Sequence, residues 1–404
     1  MIVPIVIEEA LWAAARRRIP PEVCGGPALT QAVIERSRRY TSERERLVAP
    51  TTGRAAAADL AARALFFTIA DVAKPWLPLA ELADGALPAP PGFLAGPRLR
   101  VLDVGAGCGA MTLGLLAFLA GRDQPPAVSV ILIDRDGAAL DVAADAIAAV
   151  GHQLGLEVSV AARTGDVDAV AKVTPRSFDL VLAGSVLNEL PAERARALTD
   201  AMLAAATAAG VVVIVEPALR ETTRDLHALR DAIVGDRRAT VLAPCARRTA
   251  PCPALLDERD WCHDHRPVTL PPRANQLAQV TGLRDGDLKW SYLALTPGLD
   301  VPLSPAVRVV SDPRAEKGKV TLTACGPAGW VPLRLLRRHR SVANRGLERA
   351  RRGDLLVIMP DPAMSPIALS SDPGTDDEPV ATALVDVGAA DTVELLAVDR
   401  GDPR

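Results

Sequence analysis

Aromatic residues make up only 3% of this 404-residue chain. That scarcity by itself says little about function. Lysine is nearly absent, standing only at Lys74, Lys172, Lys289, Lys317 and Lys319, so almost all positive charge is arginine. That bias, with abundant Ala and Pro, is what a GC-rich bacterial genome produces, and it excludes no function. Long apolar runs are missing as well. The best, LAAATAAGVVVIV (203–215), stops at Glu216-Pro217 and is too short to span a bilayer, so no membrane partner is expected. The N-terminus, MIVPIVIEEALW, carries Glu8 and Glu9 without a basic start, which argues against a secretory leader and for a bacterial cytoplasmic setting. Close C-x-x-C pairs are also missing. In a reducing compartment clustered cysteines, such as the three at Cys245, Cys252 and Cys262, point to metal or redox chemistry rather than disulfides.

What is present is apolar material: hydrophobic residues make up 49% of the chain, enough for more than one core. Residues 5–84 have mostly helical spacing, interrupted at Lys74-Pro75, and the Pro/Gly stretch LPAPPGFLAGP (87–97) ends that region. Short apolar runs then alternate with helical stretches: RLRVLDVG (98–105), VSVILIDRD (128–136), VSVAARTGD (158–166), FDLVLAGS (178–185) and GVVVIVEP (210–217). Nonalternating strands separated by helices predict an α/β fold with a parallel sheet. ATVLAPC (239–245) and KWSYLALT (289–296) read as two more strands. Beyond 297, VRVVSD, KVTLTACG and GWVPLRLLRRH predict a small β unit, then a basic helix near 343–352. The expected organisation is an N-terminal helical region (1–95) and an α/β core (96–297) with a cysteine insertion (245–288). A basic β extension (298–360) and an acidic, loosely ordered tail (361–404) complete a chain expected to be monomeric.

LDVGAGCGAMT (102–112) follows the first predicted strand and opens a helix. Gly105, Gly107 and Gly109 permit a tight turn and close approach of a ligand, a pattern that dinucleotide sites share. Asp103 ends the strand before the glycines. Asp134 ends the second strand, where a carboxylate can accept both ribose hydroxyls, and Asp166 ends the third, within reach of an adenine amine. Together these resemble the S-adenosylmethionine site of class I methyltransferases, whose first motif, D-x-G-x-G-x-G, reads Asp103-Val104-Gly105-Ala106-Gly107-Cys108-Gly109 here. The resemblance implies a Rossmann-like methyltransferase core with its ligand at the carboxyl ends of the strands. Cys108, inside the loop, reads as a packing residue. After the fourth strand stands GSVLNEL (184–190), in place of the acceptor motifs of base-amine and cytosine methyltransferases. Asn188 and Glu189 are the candidate catalytic residues, with Glu189 a base or an amine-orienting group. Helix capping or a ligand-shell contact suits the same two side chains.

Residues 243–265, APCARRTAPCPALLDERDWCHDH, hold Cys245, Cys252 and Cys262. Their gaps are wider than those of a zinc ribbon, and on spacing alone an iron–sulfur cluster and zinc both stay open. A fourth ligand is needed, and Cys325, Cys24, His263 and His265 are the candidates.

The APC…CP…DWCH pattern, downstream of VEP (215–217), resembles the methyltransferase-like family of small-ribosomal-subunit assembly factors of mitochondria and bacteria. ERSRRY (35–40), FF-x-x-x-D-x-x-K-P-x-x-P-L-x-E-L (66–82), LDVGAGCG, GSVLNEL, WSYLAL (290–295) and the cysteine before Gly326-Pro327 extend the likeness over roughly 30–355. The resemblance implies a [4Fe–4S] cluster on Cys245, Cys252, Cys262 and Cys325, S-adenosylmethionine as cofactor, and small-subunit ribosomal RNA or the small-subunit precursor as partner. Ala246-Arg247 stands where the family often has Pro-His. The implied activity is ribosomal RNA methylation during assembly; the alternatives are a noncatalytic assembly factor on the same fold and a small-molecule methyltransferase. A cluster on these ligands would also pin the basic extension to the core.

Charge suggests a polyanionic partner, with an ordinary solvated basic face as the alternative. Residues 301–360 carry twelve Arg/Lys against four Asp/Glu, and residues 361–404 carry two against ten. Arg334, Arg337, Arg338, Arg340, Arg345, Arg349, Arg351 and Arg352 are the expected RNA-binding residues, opposed within their span only by Glu348. Arg36, Arg38, Arg39, Arg44 and Arg46 form either a second patch or an ordinary solvated helix face.

Overall fold

A computed structural model describes residues 1–42, 52–245, 250–284, 286–298, 304–327, 329–359 and 384–396. The N-terminal region is helical: α1 (Ile5–Arg16), α2 (Gly26–Thr41), α3 (Gly53–Ala62), α4 (Thr68–Asp71) and α5 (Trp76–Ala83), with a π-helical turn at Arg63–Phe67 joining α3 to α4. The alternating part follows as β1 (Arg98–Val104), α6 (Ala110–Ala120), β2 (Ala127–Asp134), α7 (Gly137–Gln153), β3 (Val158–Thr164), β4 (Phe178–Gly184), α8 (Ala192–Ala205), β5 (Ala206–Pro217) and α9 (Arg220–Gly235). Then come β6 (Thr240–Ala243), β7 (Asp264–Pro267), α10 (Pro272–Thr281) and β8 (Asp287–Thr296).

These eight strands form one sheet, in the order β3-β2-β1-β4-β5-β8-β6, with β7 also paired to β8. β1 to β5 are parallel, as their continuous apolar runs predict: each face is covered, so neither needs polar residues. The N-terminal helices with α6 and α7 supply one core, and α8 and α9 the other. The all-parallel expectation needs correcting at β8, which runs antiparallel to β5, β6 and β7. The chain makes its excursion through the cysteine window and α10 before β8, and so re-enters the sheet from the opposite end. The order reverses between β1 and β4, which opens a crevice at the carboxyl ends of the parallel strands. Glu8 is buried on α1, where its carboxylate accepts the Ala274 amide (2.8 Å) at the start of α10 and ties the N-terminal region to the insertion.

The C-terminal unit is a second sheet: β9 (Val307–Val309), β10 (Arg314–Glu316), β11 (Lys319–Gly326), β12 (Gly329–Leu336), β13 (Leu355–Met359), β14 (Val385–Val387) and β15 (Thr392–Leu396), in the order β14-β12-β11-β9-β13-β15 with β10 beside β11. Val320, Leu322 and Ala324 of β11 face inward and are buried, so the two-residue period turns Cys325 to the opposite face. Two expectations change here. The basic helix is a single short turn, α11 (Gly346–Arg349), because Gly346 and Gly353 bracket it. Part of the acidic tail is ordered, since β14 pairs with β12 and β15 with β13; residues 360–383 and 397–404 lie outside the described residues.

Candidate functional site

The glycine loop sits where β1 ends at the crevice. Gly105 has φ +64°, and a Cβ there would meet Val186 Cγ2 at 2.3 Å, so the turn admits no larger residue. Gly107 (φ +51°) faces open space, which leaves a cradle that a side chain would fill. Its N–H donates to Asp134 Oδ2 (2.8 Å), and the Asp136 N–H donates to Asp134 Oδ1 (2.9 Å), so the loop and the end of β2 are held together. Asp103 is buried and accepts from Thr112 N (3.2 Å) and Thr112 Oγ1 (2.6 Å), while its Oδ1 has no partner. Burial pushes this carboxyl up to about 7. Asp166 is exposed just beyond β3. It accepts the Val167 N–H (2.6 Å) and pairs with Arg194, beside Asp168.

Asn188 and Glu189 lie on a 3-10 turn, Leu187–Glu189, after β4. Sequence reasoning missed what organises this turn, the buried Glu216 at the end of β5. Its Oε1 accepts Val186 N–H (3.2 Å) and Leu187 N–H (2.9 Å), and the reoriented Asn188 amide donates to its Oε2 (3.0 Å). Burial lifts the Glu216 carboxyl to about 8. The only sequence signal for it was the VEP motif. Glu189 pairs loosely with Arg135 (3.5 Å), and burial raises its pKa. Both candidate catalytic side chains are therefore engaged with protein groups.

The N-terminal helices close over this edge. Arg63 pairs with Asp136, which also caps α7. Arg36 and Arg39 both reach Asp59 of α3 (3.1 and 3.3 Å), whereas Arg38 is exposed; Arg44 and Arg46 lie outside the described residues. Cys108 is buried in the core.

The cysteine window is held from α9. Arg224 Nη1 donates to the carbonyls of Ala254 (2.8 Å), Asp257 (2.7 Å) and Asp260 (2.7 Å), which fixes the arc between Cys252 and Cys262. Asp231 accepts the Cys252 N–H (2.8 Å), and His227 Nε2 accepts the Cys262 N–H (3.3 Å). Cys325 lies on β11 opposite Arg308 of β9, and Arg308 Nε donates to the carbonyl of Pro244, next to Cys245 (3.1 Å). The Cys262 thiol is raised well above its ordinary range by burial, and then by Cys325, Cys245 and Cys252, so the other three thiols all act on it. Cys24 is elsewhere, buried against Ile19 in the N-terminal core. His263 stacks on Trp261 (4.0 Å), and His265 pairs with Asp287 (3.1 Å). Among the described residues, no three His, Cys, Asp or Glu groups stand at ready-made coordination geometry. Ala246 and Arg247 lie outside the described residues.

Arg308 makes the junction between units. It forms a bidentate pair with buried Glu81 of α5 (Nη2–Oε2 2.9 Å), and the Tyr292 hydroxyl of β8 donates to the same carboxylate. Nearby, buried Arg266 reaches Asp264 and Asp354 (both 3.3 Å). Of the expected RNA-binding arginines, Arg337, Arg338, Arg340, Arg345, Arg349 and Arg351 are exposed. Three are diverted: Arg334 pairs with Asp386 of β14 (2.7 Å), Arg340 with Glu348, and Arg352 binds the Val310 carbonyl.

Residues 66–356 match the family described as Rsm22, mitochondrial small ribosomal subunit Rsm22. The chain belongs to the Rsm22 family. The matched span of this Rsm22-family chain includes the glycine loop, Glu216, Cys245, Cys252, Cys262 and Cys325. No curated protein matches the sequence. Similar solved structures include magnesium protoporphyrin IX methyltransferase from Synechocystis PCC 6803 with bound SAM, at 15% identity over 68% of this chain and 100% of that one, TM-score 0.33. A SAM-dependent methyltransferase from Geobacter sulfurreducens with S-adenosyl-L-homocysteine matches at 16% identity over 57% and 97%, TM-score 0.32. The chain has an α/β fold built on a mixed sheet. Among the described residues, no helix is long and apolar enough to cross a membrane.

Proposed function

We propose that this chain binds S-adenosylmethionine and an iron–sulfur cluster and acts on small-subunit ribosomal RNA during ribosome assembly. The observation that carries the reading is the glycine-loop cradle. Open space over Gly107, the Asp134 carboxylate beside it and the unpartnered Oδ1 of buried Asp103 match the needs of a ligand with a ribose and an ammonium group. Cys245, Cys252, Cys262 and Cys325 are free and would supply the four thiols that such a centre needs, zinc being the alternative occupant. When bound, S-adenosylmethionine supplies the methyl group. This chain's residues would orient it: the Gly107 loop and Asp134 would hold the nucleoside end, and Asp103 would serve the amino acid end.

A second reading, a noncatalytic assembly factor on the same fold, is favoured by one observation: Asn188 and Glu189 are tied to Glu216 and Arg135. The third, a small-molecule methyltransferase, is opposed by the exposed arginines of the C-terminal unit. The deciding experiment adds methyl-labelled S-adenosylmethionine to anaerobically purified protein with small-subunit particles from a strain lacking the gene. Label in the RNA that disappears with Asp103→Asn supports the enzyme. Particle binding without label supports the assembly factor, and no particle binding revives the small-molecule reading.

A further inference from the structure

Arg230 is a buried cation with incomplete hydrogen bonding beside the cysteine window. It lies on α9 with its side chain 2% exposed. Nη1 donates to Asp231 Oδ1 (2.5 Å) and to the Ala250 carbonyl (2.6 Å), whereas Nε and Nη2 have no partner. Buried guanidinium N–H groups are rarely left unmade, because desolvation is not recovered. Its electrostatic neighbours, besides Asp231, are Cys245 and Cys252. Asp231 is already committed to Arg230 Nη1 and to the Cys252 amide, so it does not satisfy the other N–H groups. With neutral thiols the buried cation has weak acceptors on its cysteine side. Thiolates supply both the charge and the acceptors.

The remaining α9 contacts have a different character. Arg224 and His227 bond to the backbone of the window, and they shape the arc without offering charge to sulfur.

We propose that Arg230 is the charge-compensating residue of the four-cysteine centre, its Nε–H and Nη2–H donating to the thiolates of Cys245 and Cys252 once the centre is loaded. This rests on the reading of those cysteines as a thiolate-bound centre. Arg230 acts through the ligands, as a positioning and potential-setting residue. A cation held against thiolate sulfur makes it easier to add an electron and slows loss of the centre.

The test uses full-length protein purified anaerobically, as wild type, Arg230→Met, Arg230→Lys and Arg224→Met. Iron, sulfide and zinc are assayed first, then iron release to a chelator and the midpoint potential in a dithionite titration. Arg230→Met is expected to release iron about tenfold faster, the lower end of what removing an outer contact to a metal site costs. Its potential should move to a more negative value, and Arg230→Lys should restore most of that shift. Arg224→Met should speed iron release while leaving the potential unmoved, because its role is confined to loop shape. If Arg230→Met does not fold, Arg230→Gln replaces it, with the same negative shift expected. A potential that stays at the wild-type value in the neutral variants overturns the proposal while leaving the cluster reading intact. Wild-type protein holding zinc overturns the cluster reading alone, and Arg230 is then judged by the same tenfold change in zinc affinity. Wild-type protein with no metal overturns both.

Discussion

Gly105 and Gly107 share a left-handed backbone but differ in what surrounds them. At Gly105 an added Cβ collides with Val186, so Gly105→Ala must displace the turn after β4 as well as strain its own backbone. Gly107→Ala meets nothing within 4 Å and costs only the strain of its φ, about 1 kcal/mol. The expected outcome is a large drop in melting temperature for Gly105→Ala. Gly107→Ala should show a small drop together with failure to bind S-adenosylmethionine, read by calorimetry. Glu216 brings a pH dependence. Its folded pKa of about 8 exceeds the ordinary 4.5, so the folded chain keeps a proton that the unfolded chain releases. The stability this group contributes is full below pH 4.5 and is lost as pH rises through about 8. Urea titrations across that window should show a decline that Glu216→Gln flattens. None of this was legible at Glu216 in the sequence, where it stood as one letter of a family motif. The glycines, by contrast, were legible because a backbone requirement selects a single residue type.

At the scale of elements, the junction of α5, β8 and β9 was the least legible part. Glu81 and Arg308 are 227 residues apart, and no local pattern pairs them. The sequence suggested that a metal centre would pin the basic unit. The structure adds a buried ion pair that holds α5, β9 and the carbonyl beside Cys245 whatever occupies the cysteines. Breaking a buried pair on one side strands the other charge. Glu81→Gln should therefore cost about 3–5 kcal/mol in chemical denaturation, with faster amide exchange in β9, β11 and β13. Helix α9 shows the same limit. Its register puts Arg224, His227, Arg230 and Asp231 on the cysteine window, and no local pattern in the sequence marks that face.

Over the whole molecule, charge separates into a basic C-terminal unit and an acidic tail, and the fold brings the two together at Arg334 and Asp386. The exposed arginines from Arg337 to Arg351 then form the main phosphate-facing surface of the proposed function. Binding to small-subunit RNA fragments should fall steeply with salt. Arg337→Glu with Arg338→Glu should weaken binding and reduce the log–log salt slope by about 1 for each phosphate no longer neutralised, measured by fluorescence anisotropy over a salt series. An affinity indifferent to salt would remove this surface from consideration.

The sequence by itself determined the parallel half of the sheet, the glycine loop, the cysteine window and the basic extension. Each is written locally: in unbroken apolar runs, in residues that alone tolerate a backbone conformation, in clustered thiols or in a run of like charge. Tertiary structure decided the antiparallel entry of β8, the capture of Asn188 by Glu216, the pairing of Cys325 with the Arg308 that binds the Pro244 carbonyl, and the burial of Arg230 against the Ala250 carbonyl. Those depend on contacts between distant segments, and a buried polar group takes its partner from whatever the fold brings within hydrogen-bond reach.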